Sequence, residues 1–219
     1  MDISGTEATG WVQIIPLLVS LTFSVLLVLY VQWAKKPRLE TQISDYSYHD
    51  QNRMKIAHIH VRNKPVRLLS RWLNRDLATN CYGVVRVKDA SNGQLIKEFS
   101  GLKWASNPEP LKVEPKEDRS FVVMIDHVIM MTAGFKNIGE RWEDLDIAVK
   151  HEGDHEFYIN TLKNYPLNWR PVETRIDHKR CWVDVTMEFI NGTSKEKRYF
   201  LRNDSEKIVD FELSERPLA

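Results

Sequence analysis

Four histidines and two cysteines are the side chains whose spacing invites a chemical reading. His151 and His155, in KHEGDHE, stand four apart, as two metal ligands on one helix face would, with Glu152, Asp154 and Glu156 as nearby oxygens. Gly153 lies between them and the neighbouring AVK and FYIN are strand-like, which favours a surface hairpin over a helix. The metalloprotease pattern HExxH would here place Glu152 on a helix broken by glycine. His58 and His60, in KIAHIHV, share one strand face and could ligate copper or zinc. Two histidines alone are under-ligated, so cross-strand packing is the expected use. Cys81 alternates with Gly83, Val85 and Val87, and Cys181 with Val183, Val185, Met187 and Phe189. Each thiol therefore shares an apolar face and reads as a small core hydrophobe; no adjacent histidine or cationic setting marks a nucleophile. No GxxxxGKS/T, GxGxxG, GxSxG or CxxC pattern occurs. The expectation is a protein that is not an enzyme, with no catalytic residues and no cofactor.

The elements that hold these residues read as strands. KIAHIHV alternates from Lys55 onward, and TNCYGVVRVK, QLIKEFS, SFVVMIDHVIM, DLDIAV, EFYIN, RCWVDVTMEFI, KRYFL and KIVDFEL are short and rich in β-branched and aromatic residues. Asn92-Gly93 and Asn191-Gly192 each separate two such runs, and both residues of an Asn-Gly pair accept positive φ, so each predicts an antiparallel pair. Pro108, Pro110 and Pro115 mark a loop or edge leading into SFVVMID. The fold class expected is all-β, an immunoglobulin-like antiparallel β-sandwich behind one N-terminal transmembrane helix. One stretch departs from this pattern. In KPVRLLSRWLNRDLA, residues 64–78, Arg67, Arg71 and Arg75 recur at four-residue spacing beside an apolar stripe of Leu69, Trp72 and Leu73. A short amphipathic helix follows, packed on the sandwich with a solvated arginine face, or lying against an anionic leaflet. Trp104 and Trp142, near loops, are the aromatic candidates for a partner surface.

The anchor is the uncharged run Trp11 to Trp33, WVQIIPLLVSLTFSVLLVLYVQW, 23 residues long. At about 1.5 Å per residue it covers a hydrocarbon core of roughly 30 Å. Trp11, Tyr30 and Trp33 stand where an aromatic belt meets headgroups, and Pro16 falls in the first turns, where proline is tolerated. Asp2 and Glu7 precede the run, while Lys35, Lys36 and Arg38 follow it as a membrane-surface cluster. The positive-inside rule puts the N-terminus outside and the C-terminal domain in the cytoplasm. A cleaved signal peptide fits poorly, lacking a basic n-region and a small-residue cleavage site. The organisation expected is a tail at 1–10, the transmembrane helix at 11–34, a juxtamembrane linker at 35–54 and the sandwich at 55–219. Ser20, Thr22 and Ser24 are small or hydroxyl residues that could pack against other helices.

Charge is balanced, with 31 Lys plus Arg against 30 Asp plus Glu. A near-neutral domain is a poor nucleic-acid binder, so none is expected as partner. Two cysteines fit a reducing cytoplasm and exclude a disulfide-dense secreted module, although one bridge stays open if the topology is reversed. The sequons at Asn191 and Asn203 bear on that alternative.

HIHVRNKP, the arginine-rich connection, ATNCYGVVRV, the KWASNPEP turn, EFYIN and RYFLRNDSE with DFEL together resemble uncharacterised prokaryotic membrane-anchored proteins with an immunoglobulin-like sandwich. The resemblance spans most of residues 55–213. It implies a fold and a mode of anchoring, and brings no activity. The functional expectation is a single-pass interaction or adaptor protein whose partners are the lipid bilayer and another protein. The alternatives are an accessory subunit of a membrane complex and an outward-facing envelope or sensor domain.

Overall fold

The computed structural model describes residues 7–49, 53–66, 74–108, 111–116, 120–162, 170–190 and 192–217. The chain divides into two units, Met1–Lys36 with Pro65–Asp76, and Pro37–Lys64 with Leu77–Ala219. In the first, helix α1 runs Glu7–Lys35 and includes Pro16. Side chains from Ile14 to Tyr30 are exposed on every face, and Ile14–Lys35 is long and apolar enough to cross a membrane. Length and apolar composition are what such a span requires.

The second unit is built of strands. In chain order they are Leu39–Ile43 (β1), Ser47–His49 (β2), Met54–Asn63 (β3), Ala78–Asp89 (β4), Leu95–Ser100 (β5), Leu111–Pro115 (β6), Phe121–Ile125 (β7), Lys136–Ile138 (β8), Glu143–His151 (β9), Phe157–Ile159 (β10), Arg175–Ile176 (β11), Arg180–Phe189 (β12), Gly192–Thr193 (β13), Lys197–Asn203 (β14) and Phe211–Ser214 (β15). Among the described residues these form two antiparallel sheets packed together. One has the order β1-β3-β9-β10-β11 with β2 also on β3; the other is β15-β14-β12-β4-β5 with β13 on β12 and β8 on β4. The β6-β7 hairpin stands as a third, two-stranded sheet, consistent with the prolines that bound it.

The alternation read from the sequence decides which side chains meet inside. Ala57, Ile59, Val61, Leu145, Ile147 and Ile159 of the first sheet face Val85, Val87, Val183, Val185, Leu201 and Leu213 of the second, all buried. Polar staples join the layers at their margins. The Tyr46 hydroxyl donates to Leu213 O at 3.1 Å and accepts from Leu213 N at 2.6 Å; Tyr199 donates to Thr41 Oγ1 at 2.8 Å; Lys55 Nζ donates to Phe211 O at 2.5 Å. Burial pushes the Tyr46 and Tyr199 phenols up to about 12, so both hydroxyls keep their protons across the physiological range. Tyr46→Phe is expected to cost about 1–3 kcal/mol in urea unfolding, because it strands both backbone groups of the enclosed Leu213.

Several sequence expectations are corrected. Residues 35–54 are not a linker: β1 and β2 lie within them and pair with β3, so the sandwich begins near Pro37. The run SFVVMIDHVIM is a strand only to Ile125. Asp126 then accepts from Val128 N and Ile129 N and caps a short helix, His127–Thr132 (α2), a local side-chain bond that overrides β-branched propensity. Of residues 64–78, Arg67, Leu69, Arg71, Trp72 and Leu73 lie outside the described residues, and the described parts, 64–66 and 74–77, are not helical. The first Asn-Gly turn is as expected, with Gly93 at φ 71° joining the antiparallel β4 and β5; of the second, Asn191 lies outside the described residues.

A disulfide is excluded. Both cysteines are buried in the same sheet, and Cys181 pairs with Asp89, eight residues along β4 from Cys81. At about 3.3 Å per residue they stand roughly 26 Å apart, against a limit near 7 Å for Cα atoms that can be bridged. Burial pushes both thiols up to about 12, which fits the inert core role.

Candidate functional site

Two complementary alternations meet on the outward face of the first sheet. On β3, Ile56, His58, His60 and Arg62 point the same way, because strand side chains repeat every second residue. On β9 the register shifts at Ala57/His58: Ala57 pairs with Ala148 and His58 with Asp146, leaving Ile147 as the extra residue of a bulge. The bulge lets Leu145, Ile147 and Ala148 all enter the core while Asp144 and Asp146 stay opposite His60 and His58.

A hydrogen-bonded chain results. Asn160 Nδ2 donates to Asp146 Oδ2 at 2.9 Å, Asp146 Oδ1 lies 2.7 Å from His58 Nδ1, and His58 Nε2 lies 2.7 Å from Ser47 Oγ. Asp146 is 1% exposed and His58 5%, whereas Ser47, on β2, is only half-buried. A carboxylate can only accept, so Nδ1 is the ring nitrogen that donates to Asp146, and Nε2 is the nitrogen that faces the Ser47 hydroxyl. The second pair is looser. His60 Nδ1 stands 2.6 Å from Asp144 Oδ1 but off the hydrogen-bond line, and Ser44 Oγ donates to the same oxygen at 3.0 Å. His60 also meets the Trp142 ring at 5.8 Å, and the Arg62 guanidinium lies 4.1 Å from that ring while bonding Glu40 at 2.5 Å. Trp142 is thus held, half-buried, in a cation-aromatic stack on the sheet face.

The other candidates fall in separate places. His151 is enclosed at the end of β9 with its ring edge-on to Tyr158 at 5.9 Å, while the His155 side chain is 76% exposed beside Glu206. The segment between them is the turn of the β9-β10 hairpin, with Gly153 at φ 85°, so the two histidines do not act together. Among the described residues no group of three or more His, Cys, Asp or Glu is arranged to hold a metal ion. Trp104 is a core residue, not a surface one: it is 0% exposed, and its indole N–H is shared between Cys81 O at 3.3 Å and Gly134 O at 3.2 Å. Asn203 is enclosed and donates to His155 O at 2.7 Å, so its sequon is not presented for modification.

In the first unit, Arg75 Nη1 donates to Ala34 O and Lys36 O, each at 2.8 Å, and Asp76 N donates to Lys35 O at 2.8 Å. These bonds take up carbonyls that a helix leaves open at its C-terminus, where a cation is also favoured by the helix dipole. Arg75 is therefore a cap for the apolar helix, with Lys35, Lys36 and Arg38 exposed beside that end of the sequence. Within the helix, Thr22 Oγ1 donates to Leu18 O and Ser24 Oγ to Ser20 O, so these hydroxyls are satisfied by their own helix.

Two features had no sequence-level reading. Asp89, His178, Arg180 and Asp204 border a cleft of about 800 Å³ at one end of the sandwich, with the Trp182 and Phe200 rings meeting edge-on at 5.2 Å along it. The second is Asp184 on β12, whose side chain is fully enclosed under Arg198 and Lys88. Arg198 bonds it through Nε at 2.6 Å and Nη2 at 2.9 Å, and Lys88 Nζ bonds it at 2.6 Å.

Comparison of the chain with protein-family models, curated proteins and solved structures finds no match. The reading of the site therefore rests on its geometry.

Proposed function

We propose that this is a single-pass membrane protein that holds a β-sandwich at the cytoplasmic membrane surface and presents it to a protein partner. The observation that supports this best is α1, which exposes apolar side chains on every face and is capped at its C-terminus by Arg75. The cluster Lys35, Lys36 and Arg38 supports the inward orientation, since cations collect on the cytoplasmic side of a span. The sandwich is taken as immunoglobulin-like in architecture, two antiparallel sheets around one core, without the inter-sheet cystine of antibody domains. Trp142 with Arg62, and the cleft edged by Trp182 and Arg180, supply the aromatic and arginine groups that anchor protein interfaces.

The test has two arms. In membranes washed with alkaline carbonate the full chain stays in the pellet, and deletion of Glu7–Lys35 moves it to the supernatant; release of the full chain would overturn the anchor. A reporter fused after Ala219 is expected to be active only in the cytoplasm, and activity only on the outer side would reverse the orientation.

A further inference from the structure

We propose that Ser47 is an activated nucleophile, and that Ser47, His58 and Asp146 form an acyl-transfer site for small carboxylic esters with an apolar acyl chain. This goes beyond presentation of a domain at a membrane. Four separate observations lead to it.

The first is the order of atoms. A hydroxyl bonded to imidazole Nε2 and a carboxylate bonded to Nδ1 of the same ring is the arrangement that lets histidine take a serine proton, and it is recognised by geometry rather than by position in the chain. The second is the support behind it. Asn160 Nδ2 orients the Asp146 carboxylate toward the ring, and the Asp146 N–H, which donates to Lys103 O at 2.9 Å, holds its backbone in place. The third is graded burial. The carboxylate and imidazole are enclosed, whereas the hydroxyl comes from β2, which among the described residues pairs with β3 alone.

The fourth is an adjoining groove. Tyr48 and His49, which follow Ser47 on β2, line a groove of about 370 Å³ whose other walls are Met54, Ile208 and Val209 on the apolar side and Arg53 and Glu152 on the charged side. His49 and Met54 share the outward face with Ser47 by strand alternation, and Met54 belongs to a small apolar cluster with Ile56, which pairs with Ser47, and Val149. Arg53 sits at φ 45°, a conformation uncommon for a residue with a side chain and often found at functional sites. An apolar acyl chain suits the Met54, Ile208 and Val209 wall of this groove.

The step balances without any cofactor. Ser47 Oγ bonds to the ester carbonyl carbon and its proton passes to His58 Nε2. The carbon–alkoxy bond then breaks, the leaving alcohol takes that proton, and acyl-Ser47 remains. Water, deprotonated by the same nitrogen, attacks the acyl carbon; the Oγ–acyl bond breaks, a carboxylic acid leaves and Ser47 recovers its proton.

The test uses the full chain in mild detergent and a fluorophosphonate reagent, in which Oγ bonds to phosphorus, fluoride leaves and His58 takes the proton. Peptide mapping is expected to place the phosphonyl group on Ser47, and p-nitrophenyl butyrate is expected to be hydrolysed. Ser47→Ala abolishes both while leaving the enclosed His58–Asp146 pair in place. Asp146→Asn, which misdirects the imidazole, slows labelling by about ten-thousandfold, the loss seen for the same change in the serine-protease triad. Unfolding the wild type in urea reduces labelling to the level of Ser47→Ala. Absence of label on Ser47 in the folded protein overturns the proposal. So does equal labelling of wild type and of an Asp146→Asn variant whose circular dichroism is native. Because Ser47→Ala lies at a strand edge, its result stands whether or not Asp146→Asn folds.

Discussion

Replacing Trp104 with alanine is expected to lower folding stability by about 3–5 kcal/mol, the range found when a large enclosed aromatic is truncated. The indole is 0% exposed and packs in the main core. Its backbone forms an isolated bridge to Leu145, and its N–H serves two carbonyls, Cys81 O and Gly134 O. Alanine would remove the ring, open a cavity and leave both carbonyls without that donor. Trp104→Phe separates the terms: it keeps most of the apolar area, loses the N–H and should cost markedly less than alanine. Urea unfolding of the full chain in mild detergent, followed by far-UV circular dichroism, measures both. A loss below about 1 kcal/mol for alanine would mean that the ring is not enclosed as described. Since domains commonly hold 5–15 kcal/mol in all, the variant should sit close to unfolding at growth temperature.

The second large effect is expected at Asp184. Burial pushes its carboxyl upward, but the hydrogen bonds from Arg198 and Lys88 outweigh that and hold it below the ordinary carboxylate range. A carboxyl whose folded pKa is depressed adds stability that is present above the unfolded value, near 4, and lost as pH falls through the folded value. Asp184→Asn is therefore expected to destabilise by about 2–3 kcal/mol at neutral pH. This lies under the 3–5 kcal/mol usual for breaking a buried pair, because Arg198 is 53% exposed and can turn to water. The variant's stability should also change less than that of the wild type as pH falls below 4. An acid limb of the same slope in both proteins would remove this assignment.

The sequence was most legible where a period of two ran for many residues. β3, β4, β9 and β12 each follow from alternation, and Asn92-Gly93 supplies the turn that pairs β4 with β5. It was least legible where one local bond decided the outcome. Asp126 ended a β-branched run by capping α2, and nothing in the spacing of SFVVMIDHVIM marks that change. Residues 39–49 looked polar and aperiodic because β1 and β2 are short edge strands with one wet face, so their pairing with β3 is a tertiary fact.

The site was half visible. His58 and His60 were read as sharing a strand face, and DLDIAV carried the answering alternation of Asp144 and Asp146. Two such runs of opposite charge type are a signal that strand pairing could have used. The register joining them depends on the bulge at Ile147, and Ser47 and Asn160 come from other strands and loops, so the full chain of bonds had no local trace. Trp104 was misplaced because a tryptophan near a turn signal looks peripheral, whereas here the chain folds inward as a bridge to β9.

The placement of the two thiols has a practical use. Cys81 and Cys181 mark opposite ends of the β4-β12 ladder, one near β8 and the other beside Asp89. Each is sealed and reluctant to ionise in the closed molecule, so a thiol reagent reaches it only when that end of the ladder separates. Their two modification rates, read by mass spectrometry, would time the fraying of each end independently and show which part of the sandwich gives way first.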